Sequence, residues 1–100
     1  MMIDRFQRVG DLVRPLLLGL VPRLLPNGRR EGHFWVALNP TRPDRSLGSF
    51  KVDLRTGAWR DYATGDGGGD LVSLYAYVYG LKQGEALQLV EQQAGVSHGL

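Results

Sequence analysis

The stretch that decides the fold is Gly48–Asp70, GSFKVDLRTGAWRDYATGDGGGD. Its first part alternates apolar and polar residues. Because successive side chains of a strand point to opposite faces, this pattern predicts a half-buried strand over Gly48–Leu54. Thr56-Gly57 supplies a residue that readily takes a positive φ, and the chain then returns as a second strand over Ala58–Ala63. The stretch therefore predicts a β-hairpin that leads into a glycine-rich loop.

The flanking segments add a third strand and helices. His33–Leu38 is rich in aromatic and branched residues, which is typical of a strand. Apolar residues recur at intervals of three and four over the first twenty residues and predict an amphipathic helix, in which Pro15 introduces a kink or lies in the early turns of a helix beginning near Asp11. After the hairpin, Asp70 is placed as the N-cap of a helix that ends at Gly80, and a second helix follows.

We therefore expect a single α+β domain over residues 1–100. Its centre is a three-stranded antiparallel sheet within residues 33–63. An N-terminal helical extension over residues 1–25 and two helices within residues 70–95 pack against that sheet. The composition agrees with a globular domain, because 43% of the residues are hydrophobic and 22% are charged.

Several classes are excluded by composition. No cysteine is present, so disulfides and thiolate zinc sites are ruled out. The longest apolar run, Leu16–Val21, is too short to span a membrane, and the first residues do not form a clean signal peptide. We expect a cytoplasmic protein with no membrane contact. Neither His33 nor His98 has a neighbouring nucleophile or second ligand at motif spacing, so we expect no enzyme activity.

Charge is distributed unevenly along the chain. Residues 23–60 contain eight Arg or Lys against three acidic residues, a net +5, whereas residues 61–100 contain one Lys against five acidic residues, a net −4. Such asymmetry favours a surface for a polyanion, and nucleic acid is the first candidate. The alternative is that these charges simply cover the surface of a small domain.

The basic segment also carries aromatic residues, a combination with which small sheets bind single strands. Bases stack on the rings while Arg and Lys hold the phosphates. Trp59 and Tyr62 are the stacking candidates, although Trp59 could equally belong to the core, as Trp35 more readily does. The candidate phosphate contacts are Arg42, Arg45, Lys51, Arg55 and Arg60.

The glycine-rich loop Thr64–Asp70 permits other interpretations. It opens a helix, but it lacks the Gly-Lys-Ser/Thr ending of a nucleotide-binding loop, and its aspartates would repel a phosphate. Asp61, Asp66 and Asp70 offer oxygen ligands for calcium or magnesium, although the spacing of a helix-loop-helix calcium hand is absent. The simpler interpretation is a turn in which Asp70 caps the following helix.

Residues 39–95 resemble the zinc-binding domain that begins bacterial and phage DNA primases. In that family a Cys-Pro-x-His pair precedes a Ser-Phe strand, a hairpin and a Cys-x-x-Cys-Gly segment. Here Asn39-Pro40-Thr41-Arg42 stands at the first pair, and Asp61 to Gly65, Asp-Tyr-Ala-Thr-Gly, stands at the second. The four metal-ligand positions are then occupied by Asn39, Arg42, Asp61 and Thr64.

The resemblance implies a zinc-ribbon-like fold that has lost its zinc, since these four side chains cannot form a tetrahedral zinc site. We expect no cofactor. In place of the metal we expect an ion pair between Arg42 and Asp61, with hydrogen bonds from Asn39 and Thr64. The chain also looks like the opening segment of primase-helicases of plasmids, phages and integrated elements.

The expected function is non-catalytic binding of single-stranded DNA during replication or priming of a mobile genetic element. The main alternative is a protein-interaction module that docks on a primase, polymerase or helicase subunit. A third interpretation makes the chain a fragment of a larger enzyme, such as an accessory domain or subunit of a primase or helicase.

Overall fold

The computed structural model describes residues 4–45 and 47–95. Helices and strands are segregated along the chain, with a helical N-terminal part, a run of strands and two C-terminal helices. The elements are α1 Arg5–Val13, a 3₁₀ turn Arg14–Leu16, α2 Leu17–Leu24, β1 Arg29–Glu31, β2 Phe34–Ala37, β3 Phe50–Asp53, β4 Trp59–Asp61, β5 Gly67–Gly68, α3 Leu71–Tyr79 and α4 Gln83–Gln93.

The strands form one five-stranded sheet in the order β1-β2-β3-β4-β5, in which every neighbouring pair is antiparallel. The α+β class is as expected, but the prediction of a three-stranded, zinc-ribbon-like sheet is wrong. The three expected strands are present as the shorter β2, β3 and β4, and an additional strand lies on each edge.

Both additional strands lack the apolar alternation by which strands are recognised. β1 consists of Arg29, Arg30 and Glu31, all exposed at the sheet edge, and Gly32 takes a φ of 61° in the turn to β2. β5 is two glycines, and a Cβ at Gly67 would lie 2.9 Å from the carbonyl oxygen of Trp59. Glycine therefore allows an approach between these backbones that a side chain would obstruct.

The N-terminal helical region is divided at Pro15. The 3₁₀ turn that contains Pro15 joins α1 to α2, because proline has no N–H to continue the α-helical ladder. Arg5 of α1 forms an ion pair with Glu91 of α4, whose Nε–Oε2 distance is 3.1 Å. Within the described part of the chain, no helix has the length and apolar content needed to cross a bilayer.

The C-terminal helices begin and end as their sequence indicates. The Asp70 side chain accepts a hydrogen bond from the Ser73 N–H at 2.8 Å, which satisfies one free donor at the start of α3. Gly80 ends this helix in the left-handed conformation, with a φ of 66°. α3 packs on α4, and α1 contacts both.

The register gives the sheet two distinct faces. On the inner face, Trp35, Val52 and Trp59 form a cross-strand row that packs into the apolar core. The opposite side, here called the outer face, carries Phe34 on β2, and its central cross-strand row consists of Arg29, Val36, Lys51, Arg60 and Gly67.

Candidate nucleic-acid interface

A buried ion pair lies at the end of β4. The Asp61 side chain has no solvent exposure, whereas 29% of the Arg42 side chain remains exposed. The Arg42 Nε atom donates to Asp61 Oδ2 at 2.9 Å, and the Nη2 atom donates to Oδ1 at 3.3 Å. The pair connects the loop after β2 to the end of β4.

Asn39 extends this pair into a network. Its Nδ2 group donates to Asp61 Oδ2 and to the Tyr77 hydroxyl oxygen, both at 2.8 Å, and its Oδ1 atom accepts from the Thr41 N–H. The Tyr77 hydroxyl in turn donates to Asp66 Oδ2 at 2.9 Å. Throughout residues 4–45 and 47–95, every buried side-chain nitrogen or oxygen has a hydrogen-bond partner, so the network is satisfied.

The network holds Asp61 in its charged form. Burial alone would raise the pKa of this carboxyl group, but hydrogen bonds from Arg42, Asn39 and the Ala63 N–H outweigh it and lower the pKa to about 2. The neighbouring guanidinium charge acts in the same direction. Asp61 is therefore ionised over the whole physiological pH range.

The predicted ion pair between Arg42 and Asp61 is confirmed, as is the hydrogen bond from Asn39. The hydroxyl of Thr64 has a different role, because it accepts from the Asp66 N–H at 3.2 Å within its own loop. Asn39, Arg42 and Asp61 thus converge on one point, whereas Thr64 supports the loop that follows β4.

The outer face brings together two basic residues and one aromatic ring. Lys51 and Arg60 are directly opposite each other in the β3–β4 register. Tyr62 follows β4 on the same side as Arg60, since alternate residues share a face. The Tyr62 side chain is 64% exposed, with Arg60 Cζ 5.3 Å and Lys51 Nζ 6.0 Å from its ring centroid.

A shallow depression of about 150 Å³ lies on this face. Phe34, 38% exposed, lies at the end of the depression nearest Asp53, with which it is paired in the β2–β3 register. The lining residues are Phe34, Lys51, Asp53, Ala58, Trp59, Arg60 and Tyr62.

Two of the predicted phosphate contacts have acidic partners instead. Arg42 is bound to Asp61, as described, and Arg55 forms a two-point ion pair with Asp53 at 3.0 and 3.1 Å. These pairings neutralise their charges locally. Arg45 is exposed in the loop between β2 and β3.

Trp59, predicted either to stack on bases or to belong to the core, lies in the core. Its side chain is only 6% exposed, and its Nε1–H donates to the Ser73 hydroxyl at 2.8 Å. Its ring lies 4.5 Å from that of Tyr77 and 5.8 Å from that of Phe50, measured between centroids. The ring therefore presents no open face to a base.

Two residues of these sites were not singled out from the sequence. Phe34 belongs to an unbroken apolar run, in which alternation cannot indicate the exposed face. Tyr77 lies on the second turn of α3, and its role depends on a contact 38 residues away in sequence, with Asn39. The polar hydroxyl of a tyrosine within an otherwise apolar helix was the available signal.

The acidic loop residues considered as metal ligands have protein partners. Asp70 caps α3, Asp66 accepts from Tyr77, and Asp61 belongs to the buried network. Among the residues that the structure describes, no group of three or more His, Cys, Asp or Glu side chains could hold a metal ion. His33 is exposed before β2, and His98 lies outside the described residues.

A comparison with models of known protein families found no match to this chain, and a comparison with curated proteins found no significant match. The fold and the outer face therefore define only the structural class of the protein. It is a small α+β domain with basic and aromatic side chains on the outer face of its sheet.

Proposed function

We propose that the chain is a non-catalytic module that binds single-stranded DNA on the outer face of its sheet. The observation that carries the proposal is the pairing of Lys51 with Arg60 beneath the exposed ring of Tyr62. The two cations supply phosphate contacts, and the ring supplies a stacking surface for a base.

The arrangement of charge favours a polyanionic ligand. Like charges directly opposite each other on adjacent strands are destabilising, so a sheet gains nothing for its own stability from this pair. Within the described ranges, neither Lys51 nor Arg60 takes part in an ion pair. Arg29 lies in the same cross-strand row, but its charge is offset by Glu31 at 2.7 Å. A bound phosphate would relieve the repulsion between Lys51 and Arg60.

The resemblance to primase zinc-binding domains supports a role in replication or priming of a mobile element, in the cytoplasm. The spacing of the metal ligands in that family aligns with Asn39, Arg42, Asp61 and Thr64 of this chain. The hydrogen bonds among the first three agree with that alignment. The polar network takes the structural place of the metal, and the outer face remains for the ligand.

The proposal is tested by fluorescence anisotropy with labelled single-stranded and duplex oligonucleotides over a salt series. We expect tighter binding of the single strand, with a slope of log K against log salt of about −1.5 to −2 for two to three neutralised phosphates. The Lys51→Ala/Arg60→Ala variant should lose most of this binding.

The matched control is Arg8→Ala/Arg23→Ala, which removes the same charge from exposed positions on α1 and α2. If both variants weaken binding equally, net charge rather than the outer face governs the interaction. If the unmodified chain binds neither oligonucleotide at low salt, the proposed function is wrong.

A second candidate function is docking on a primase, polymerase or helicase subunit. It is favoured by three exposed leucines in the N-terminal helical region, Leu12, Leu16 and Leu18, which are 47%, 42% and 57% exposed. Apolar contacts of this kind persist in high salt, whereas phosphate contacts weaken steeply. Binding to such a subunit that survives high salt and is lost on Leu16→Ser/Leu18→Ser replacement would favour this function.

A further inference from the structure

We propose that the outer face holds a segment of about four nucleotides, with one base stacked on Tyr62 and another on Phe34, at opposite ends of the Lys51–Arg60 pair. This inference rests on the proposed function and adds to it a second stacking residue and the length of the ligand. Site sizes of this order occur in other small sheet domains that bind single strands.

The register determines the positions of the two rings. Phe34 pairs with Asp53 of β3, whereas the Tyr62 N–H donates to the carbonyl oxygen of Ser49 at 2.8 Å. The two sites are four residues apart along the central strand, about 13 Å at the usual rise of a strand. Phe34 and Tyr62 also lie on opposite sides of β3, so the line between them crosses the sheet diagonally.

The ligand must therefore be extended. Adjacent stacked bases are separated by only about 3.4 Å, so neighbouring bases in a helical stack cannot reach both rings. A strand that reaches both must spread its bases and leave intervening phosphates over the middle of the face. The backbones of Lys51 and Arg60 lie there in the register, and their charged groups extend toward Tyr62, to within 6.0 Å and 5.3 Å of its ring centroid.

The Phe34 end of the depression is not repulsive to a phosphate chain. Asp53 is the one carboxylate among the lining residues, and Arg55 binds both of its oxygens, at 3.1 and 3.0 Å. Hydrogen bonds from Arg55 outweigh burial and lower the pKa of Asp53, so the pair remains charged and its net charge is near zero. Phe34 thus offers an exposed ring in a neutral setting.

The experiment measures the affinity of the 100-residue chain for oligo-dT of one to twelve nucleotides by competition against a labelled oligonucleotide. Affinity should rise steeply up to about four nucleotides and only slowly beyond. Against an eight-nucleotide ligand, Phe34→Leu and Tyr62→Leu should each weaken binding at least about fivefold, because leucine keeps the apolar volume but removes the stacking face.

Phe34→Trp, which enlarges the ring, should bind at least as tightly as the unmodified chain. Tyr79→Leu is the matched control, because Tyr79 is 56% exposed at the end of α3 and does not line the depression. Thermal unfolding of each variant confirms that it is folded.

The outcomes separate this inference from the proposed function. If Tyr62→Leu weakens binding while Phe34→Leu binds like the unmodified chain, the second stacking position is wrong and the proposed function stands. Equal losses in Phe34→Leu and Tyr79→Leu would also overturn the inference. If the unmodified chain binds no oligonucleotide of any length, both proposals fail.

Discussion

Arg42 and Asp61, nineteen residues apart in sequence, form two side-by-side hydrogen bonds around a carboxylate that has no exposure to solvent. This geometry joins the loop after β2 to the end of β4, where the primase resemblance would place a zinc ion. The Asn39 side chain and the Ala63 N–H also donate hydrogen bonds to this carboxylate. We therefore regard the pair as the main polar restraint on this end of the sheet.

Removing either partner should destabilise the domain. Arg42→Ala leaves a buried carboxylate without its counter-charge, which typically costs about 3–5 kcal/mol, so we expect the Tm to fall by more than about 10 °C. Differential scanning calorimetry measures this directly. The control is Arg55→Ala, which breaks a pair whose Arg55 side chain is 58% exposed and should therefore lower the Tm far less than Arg42→Ala.

An unchanged Tm in Arg42→Ala would contradict the proposal that this network takes the structural place of a metal. One zinc ion per folded chain, measured by elemental analysis of the purified protein, would contradict it as well.

The stability of the domain should decline in acid. The pKa of Asp61 is about 2 in the folded protein against an ordinary value of 3.8, so the unfolded chain takes up the proton first as the pH falls. The free energy of unfolding should therefore decrease by about 2 kcal/mol between pH 5 and pH 2 through this group alone.

Urea unfolding at several pH values would measure the decrease in the unmodified chain and in Asp61→Asn. The pKa of Asp53 is also lowered, and its contribution should remain in both proteins. The loss between pH 5 and pH 2 should be smaller in the variant. Parallel curves for the two proteins would show that Asp61 does not contribute.

Gly68 should not tolerate a side chain, although its neighbour Gly69 should. A Cβ on Gly68 would collide with the Ser73 hydroxyl and would lie 2.6 Å from the Nε1 atom of Trp59, whereas a Cβ on Gly69 has no atom within 4 Å. We expect Gly68→Ala to cost about 1–3 kcal/mol and Gly69→Ala to be neutral or slightly stabilising. Chemical denaturation of the two variants provides the comparison, and equal stabilities would contradict the packing of β5 on α3.

Trp59→Phe should separate stability from ligand binding. The variant loses the hydrogen bond to Ser73 and part of the core volume, so we expect about 1–3 kcal/mol of destabilisation. Affinity for single-stranded DNA should stay within about twofold of the unmodified chain, measured at a temperature where the variant is folded. A tenfold loss of affinity in the folded variant would instead place Trp59 at the interface.

The parts of the fold predictable from sequence are those with a local signal. Alternation identified β3, Gly57 marked the hairpin turn with a φ of 84°, and Asp70 marked the start of α3. The edge strands gave no such signal. β1 is uniformly charged and β5 has no side chains, so their pairing depends on backbone contacts with neighbouring strands rather than on their own pattern.

The candidate interface was likewise predictable only where the sequence has a local pattern. Arg60 and Tyr62 share a face by alternation, but the position of Lys51 opposite Arg60, the pairing of Arg55 with Asp53 and the exposure of Phe34 depend on register and on side-chain geometry. Trp59 shows that composition alone does not determine the role of a residue. A tryptophan in a basic hairpin fits either a stacking site or a core, and only the packing of α3 against the sheet decides between them.

The most direct test of the central claim is an NMR titration of the ¹⁵N-labelled chain with an eight-nucleotide oligo-dT. Binding on the outer face should shift the backbone amides of Lys51, Arg60 and Tyr62 and their immediate neighbours, while those of α1 and α2 remain unchanged. Shifts confined to the N-terminal helices, or no shifts at low salt, would contradict the claim that the outer face binds single-stranded DNA.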